Sequence, residues 1–296
     1  MTIQQLFKTA PVTTLLLVCF IGLYILQVLS GMDANNPSTE ALLKWGANAL
    51  PFTMGFEPWR LVSSAFLHIG LMHLLFNCFA MYFFGQIAEP MFGSSKFLAL
   101  FLLAAIGGNL LNNHIMWQAI LEDNRLLGIL DGSILPDISA GASGGIMGIG
   151  AALLIAALFK ISVNGMVLNL RSLVLIMGIN LVYGFAVPGI DNAGHIGGAV
   201  TGLVIALAIG IVHRQRMSAQ QASISPYQTD YIQYSADGNI NTQPSFDRQN
   251  NPHLTPKPAM IWQLLPWLVM LVISIGFFLW WQDIHIQILR ALAAGQ

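Results

Sequence analysis

The chain has 296 residues, of which 8% are charged and 55% apolar, and its mean hydropathy is +0.67. A soluble protein of this length needs far more charge to cover its surface, and a formal net charge of −1 leaves no basic footprint for nucleic acid, so none is expected as a partner. Apolar runs near 20 residues, the length that crosses ~30 Å of hydrocarbon, recur without the apolar–polar alternation of a barrel and predict an all-α, polytopic membrane protein.

Seven spans are expected in chain order, at about 10–29, 70–89, 97–116, 141–159, 171–187, 193–212 and 261–282. The first follows Lys8 and is too long for a signal-peptide h-region, so it is read as a membrane helix. Cys19 and Cys78 both fall in apolar segments and are read as free, inert thiols. Residues 30–69 carry Trp45, Trp59 and Arg60 and are expected to pack at the membrane surface. The third span is interrupted by Asn109, Asn112 and Asn113, which should face other helices rather than lipid. Residues 117–140 hold Glu122, Asp123, Asp131 and Asp137 against Arg125. Residues 214–258 are rich in Gln, Ser, Asn and Pro and read as a flexible polar linker. The expected organisation is a six-helix core over 1–213, a cytoplasmic linker over 214–258, and an additional membrane helix with a short tail over 259–296.

Charge orients these spans through the positive-inside rule. With the N-terminus in the cytoplasm, the inner segments hold Lys8, Lys96, Lys160, Arg171, Arg214, Arg216, Arg248 and Lys257, while the outer ones hold Lys44, Arg60, Arg125 and Arg290. Spans two, four and six then all start at the outer face. His73 and Asn77 lie in the first turns of span two, Ser143 opens span four, and His195 opens span six. Four polar residues on three parallel helices thus share one depth.

That set of residues suits nucleophilic catalysis. A serine hydroxyl is a poor nucleophile until a base takes its proton, and a histidine with an ordinary pKa near ~6.5 is such a base. Glycines near Ser143, in Gly141-Ala142-Ser143-Gly144-Gly145, and Gly194, Gly198 and Gly202 on the histidine helix would let spans four and six approach closely. His68, His73 and Asn77 form a His-x4-His-x3-Asn pattern in which His73 and Asn77 share a face. They are candidate donors to an oxyanion, together with the Ser143 backbone N–H. Each residue also has a bland reading, since serine in an Ala/Gly-rich membrane helix is usually a packing residue; the convergence of four at one depth favours chemistry. Gly141-x-Ser143-x-Gly145 also matches a nucleophile elbow, but that motif needs a preceding strand and here enters an apolar helix. Asp191 stands four residues before His195 as either a triad acid or a helix cap; the reading adopted is a dyad. No metal is expected, because His68 and His73 lack a carboxylate cluster and no His-Glu-x-x-His occurs.

At these residues the chain resembles the rhomboid family of intramembrane serine proteases. The resemblance covers about residues 10–213 and rests on Trp59-Arg60, His68-x4-His73-x3-Asn77, Gly85-x3-Glu89, Gly141-x-Ser143-Gly144 and His195-x2-Gly198-x3-Gly202. It implies a six-helix core in which Ser143 is the nucleophile and His195 the base. His73, Asn77 and the Ser143 amide would form the oxyanion hole, and Trp59-Arg60 would shape a partly embedded first loop. The fifth helix and the loop near Pro188–Asp191 would resemble the family's substrate gate and cap, and span seven its additional C-terminal helix. The activity implied is cleavage of single-span or other membrane-protein substrates near the outer face, without cofactor or metal. Where relatives often have an aromatic packed on the base, four residues after the nucleophile, this chain has Met147, and Gly194 stands where Ala often precedes the base. A chain without a targeting tail is expected in a bacterial plasma (inner) membrane. Competing readings are a client-binding adaptor on the same scaffold, which usually lacks the serine or the histidine, and a transporter, which would place its site at mid-membrane between repeated halves.

Overall fold

Proline and glycine mark the ends of the helices. In the computed structural model, which describes residues 3–123, 128, 136–162, 168–186, 190–222, 233–234, 240–241 and 260–294, α1 (Ile3–Thr9) leads into α2 (Pro11–Leu29). Pro11 opens α2 at a position where its missing N–H costs nothing. Four short pieces follow: α3 (Thr39–Trp45), α4 (Leu50–Thr53), α5 (Arg60–Ser63) and a 3-10 turn over Ser64–Phe66. Ser38 caps α3 by accepting from the Ala41 N–H, and Gly46 ends it at φ 97°, the left-handed position that glycine takes without strain. Then come α6 (Leu71–Phe92) and α7 (Ser94–Glu122), joined only by Gly93 at φ 84°. α8 (Ser143–Leu158), α9 (Leu170–Ala186), α10 (Asn192–Ala222) and α11 (Met260–Ala294) complete the helices, with a two-residue antiparallel ribbon pairing Gln233–Tyr234 with Ile240–Asn241.

Every expected span is a helix. Among the described residues five helices are long and apolar enough to cross a membrane, within α2, α6, α7, α10 and α11, while α8 and α9 are apolar but shorter. Three boundaries differ from expectation. α7 is longer than 97–116 at both ends, because residues 94–96 and 117–122 contain no Gly or Pro to stop a helix. α10 continues to Ala222, so residues 214–222 are helix rather than linker; they contain no Gly or Pro and are mostly Arg, Gln, Met and Ala, all good helix formers. α11 runs to Ala294, so the expected short tail is mostly helix. The rest of the linker, apart from the small ribbon, lies outside the described residues, as do Arg125, Asp131, Pro188, Arg248 and Lys257.

α8 is the hub. Its 16 residues, ~24 Å at 1.5 Å per residue, are almost all buried from Gly145 to Ala156. A helix too short to span the hydrocarbon is tolerated here because protein, not lipid, surrounds it. Glycine contacts give the helix directions. A Cβ on Gly198 would lie 2.0 Å from the Gly144 carbonyl oxygen, and one on Gly202 would lie 2.1 Å from that of Gly148. The two series rise together, so α8 and α10 run parallel with their backbones in contact. α7 runs antiparallel to α10, since Gly108 meets the Gly194 carbonyl and Gly107 meets Thr201. Glu89, fully buried near the end of α6, accepts from the Val12 and Thr13 N–H groups at 2.9 and 2.7 Å and from the Ser94 hydroxyl at 2.6 Å. It thereby caps α2 from outside, a placement that the helix dipole favours, while Gly85 lets Thr13 approach.

Candidate active site

The first turns of α6, α8 and α10 meet at the end of the bundle that carries residues 46–70. Ser143 is the first residue of α8 and is half-buried. As an N-terminal residue its N–H has no partner within the helix. His195 lies in the first turn of α10, whose N–H bonds back to the Asp191 carbonyl at 3.1 Å. The two residues flank the Gly144–Gly198 contact on facing, parallel helices. Gly144 and Gly194 also approach each other, a Cβ on Gly144 lying 3.3 Å from the Gly194 oxygen.

Gly141 and His73 form the other wall. Gly141 has φ 138°, and a Cβ there would lie 2.6 Å from His73 Cε1 and 2.7 Å from Nε2. The Gly141 N–H donates to the Ser64 carbonyl at 2.9 Å, pinning the loop in front of Ser143. On the far side of the ring, His73 Nδ1 accepts from the Ile69 N–H at 3.3 Å. A neutral ring that accepts at Nδ1 carries its proton on Nε2, so the edge facing Gly141 is a donor. His68, fully buried, packs edge-on against His73 with centroids 5.4 Å apart and against Phe20 at 5.3 Å; it holds the His73 ring in place. Asn77 is buried one turn further along α6. Its Nδ2 donates one bond to the His73 carbonyl at 3.0 Å, and an amide has a second N–H to give.

The remaining expected residues occupy supporting positions. The Arg60 guanidinium donates to Glu57 at 2.7 Å and to the Leu43 and Ala47 carbonyls at 2.8 and 3.0 Å, with its carbon 4.8 Å from the Trp59 ring centroid. Arg60 thus closes the loop over 43–60, while Trp59 packs over Gly46 and remains half exposed. Met147 is buried in the central core. Among the described residues no three His, Cys, Asp or Glu side chains gather as a metal site.

Asp191 resolves as a helix cap. Its carboxylate accepts from the Gly194 N–H at 2.7 Å, from Asn112 at 2.8 Å and from the Ser139 hydroxyl at 2.6 Å, whereas the buried His195 Nδ1 has no hydrogen-bond partner among the described residues. Among the described residues the Asp191 carboxylate therefore makes no hydrogen bond to the His195 ring. Sequence reasoning weighed the cap but missed Asp191's partners. Ser139 also exchanges two backbone hydrogen bonds with Asn48, at 2.9 and 2.8 Å, and Asn113 donates to Asn48 at 2.8 Å. Only the asparagines in an apolar span gave any sign of this network.

Comparison with known proteins identifies the family. The family model for the rhomboid domain matches residues 55–211, a stretch that contains His68, His73, Asn77, Ser143 and His195. Rhomboid protease GluP of Bacillus subtilis (strain 168) is 37% identical over 193 residues, covering 65% of this chain and 34% of that protein. Rhomboid protease AarA of Providencia stuartii is 31% identical over 217 residues, covering 70% of this chain and 75% of that protein. The mitochondrial RHOMBOID-like protein 6 of Arabidopsis thaliana is 31% identical over 171 residues, or 57% of this chain and 50% of that protein. The match thus spans about a third of the length of the first relative and three quarters of the second.

Proposed function

From the premise that this chain belongs to the rhomboid family, we propose that it is an intramembrane serine endopeptidase that cleaves membrane-protein substrates through a Ser143–His195 dyad. The Ser143 hydroxyl attacks the scissile carbonyl carbon as the His195 imidazole takes its proton. The oxyanion that forms receives the His73 Nε2–H, the second Asn77 N–H and the Ser143 backbone N–H, at the positive end of α8. Collapse of this intermediate breaks the C–N bond. The leaving amine takes the proton from His195, and an ester on Ser143 remains. Water then attacks the ester with His195 again as base, releasing the new carboxyl terminus and restoring the serine.

The substrate class follows from backbone chemistry. Peptide bonds within a membrane helix are hydrogen-bonded and closed to attack, so a cleavable segment carries Gly or another helix-weakening residue. The charge pattern supports an N-terminus in the cytoplasm and cleavage near the outer face, and the shallow site admits water from that side. A bacterial plasma membrane is the location that fits this reading.

The observation that carries the proposal is the parallel contact of α8 with α10 through Gly144–Gly198 and Gly148–Gly202, beside which Ser143 and His195 stand at one level. The test is cleavage of a single-span substrate in liposomes by wild type, Ser143→Ala and His195→Ala. Loss of a serine-hydrolase nucleophile or base removes on the order of 10⁶ in kcat, so both variants should fall to background. Cleavage that persists in either would overturn the dyad.

A further inference from the structure

We infer that Asp191 is a positioning residue, a carboxylate clamp that fixes the nucleophile's loop to the base's helix and so sets the Ser143–His195 geometry. This rests on the dyad reading above. A helix cap needs one acceptor, and Asp191 Oδ1 supplies it to the Gly194 N–H at 2.7 Å. Oδ1 also receives the Asn112 side chain of α7 at 2.8 Å. Oδ2 is left over for capping purposes, and it binds the Ser139 hydroxyl at 2.6 Å. That bond runs between segments 52 positions apart in the chain.

The two ends of the bond stand in matching places. Asp191 lies four residues before His195, and Ser139 lies four residues before Ser143. Between Ser139 and Ser143 the chain passes through Gly141 in its left-handed conformation against His73. A loop anchored at Ser139 therefore delivers Gly141 to the donor wall and Ser143 to the base together. The backbone bonds of Ser139 with Asn48 and of Gly141 with Ser64 hold the loop to residues 48–64, and among the described residues the Asp191 side chain supplies the hydrogen bond that ties it to the start of α10. A hydroxyl bound to a carboxylate is among the stronger hydrogen bonds, and this one is partly buried.

Cap and clamp can be separated. Serine is as good an N-cap as aspartate but has a single, shorter-reaching oxygen, so Asp191→Ser keeps the bond to Gly194 and drops Ser139 together with the Asn112 bond. Ser139→Ala removes the same bond from the other side and leaves the cap intact. The experiment measures kcat and KM for a single-span substrate, the rate at which a fluorophosphonate labels Ser143, and the thermal midpoint. It uses wild type, the two single variants and the double variant, with Ser143→Ala and His195→Ala in the same assay.

A misplacement of about 1 Å costs around 100-fold in rate. Each single variant should therefore lose about ten- to a hundredfold in kcat and in labelling rate, with KM within about twofold. The double variant should lose no more than Asp191→Ser alone, because Ser139→Ala breaks a link that Asp191→Ser has already broken. Wild-type kcat in Ser139→Ala, a loss confined to KM, losses that multiply in the double variant, or losses matched by a falling midpoint would each overturn the clamp. If the two dyad variants still cleave, the dyad itself has failed and the clamp falls with it. If they are dead while Ser139→Ala and Asp191→Ser cleave normally, only the clamp is wrong.

Discussion

Gly141 shows how much a missing side chain contributes to this site. Its φ of 138° is one that residues with a Cβ rarely adopt, and the space beside it is filled by the Cε1–Nε2 edge of His73. Gly141→Ala would both strain the backbone and push away the ring that is proposed to donate to the oxyanion. Removing one such donor costs about 100–1,000-fold in kcat, so a loss of that size is expected, matched by His73→Ala and not deepened in the double variant. Gly93 is the control, with φ 84° and nothing within 4 Å of its would-be Cβ. Gly93→Ala should lower the thermal midpoint through about 1–2 kcal/mol of backbone strain and leave kcat alone. Equal activity losses at both glycines would mean that strain, not displacement of His73, is responsible. The residues of this wall were legible in the sequence because each motif is local: His68, His73 and Asn77 lie within one short stretch, and Gly141 and Ser143 within another. Asp191's role was half legible. A carboxylate before a helix announces a cap, but Ser139, Asn48 and Asn112 come from distant segments that no periodicity links.

At the scale of helices, the site depends on backbones touching where side chains would normally intervene. The would-be Cβ of Gly198 collides with a main-chain carbonyl of α8, which cannot swing away as a flexible side chain can, so Gly198→Ala must separate two helices. Overpacking of this kind costs about 1–3 kcal/mol, and the shift acts directly on the gap between Ser143 and His195. A kcat loss of tenfold or more is expected, along with a lower midpoint. Gly178 in α9 has nothing within 4 Å, so Gly178→Ala should raise the midpoint through about 0.5–1 kcal/mol of helix preference without slowing cleavage. Cleavage assays and melting curves on the pair would refute the argument if Gly198→Ala behaved like Gly178→Ala. The four-residue spacing of Gly198 and Gly202 announced a close helix contact, and hydropathy found the seven longest of the described helices. Hydropathy did not find where helices stop when polar residues continue them. Residues 214–222 and 283–294 are helical because nothing in them breaks a helix, although both lie beyond the apolar runs.

Across the whole molecule, α11 is where sequence reasoning had least to offer, since it carries no candidate catalytic group. Its contacts supply a role. It runs parallel to α7, with Phe277 against Gly107 at one level and Gln287 accepting from the Trp117 indole at 2.8 Å ten residues on. Its last turns reach the short helix α4. A four-residue helix leaves its final carbonyls unsatisfied, and two of these, at Thr53 and Met54, meet the Trp281 indole N–H at 2.9 Å and His285 Nδ1 at 2.7 Å. Ile284 and Ile288 bury against Leu50, Met54 and Leu61 in the same cluster. α11 therefore acts on the loop that leads through Arg60 to Ser64, the residue that holds Gly141. Trp281→Phe keeps most of the ring and removes the donor, leaving the Thr53 carbonyl short of a partner at a cost of about 1–3 kcal/mol. Hydrogen exchange should report this locally. Faster exchange is expected at the amides of Phe56–Ser63, with those of α8 and α10 unchanged and kcat reduced severalfold at most. Faster exchange throughout α8 would instead make α11 a support of the entire core, and unchanged exchange in Phe56–Ser63 would leave the indole bond without consequence.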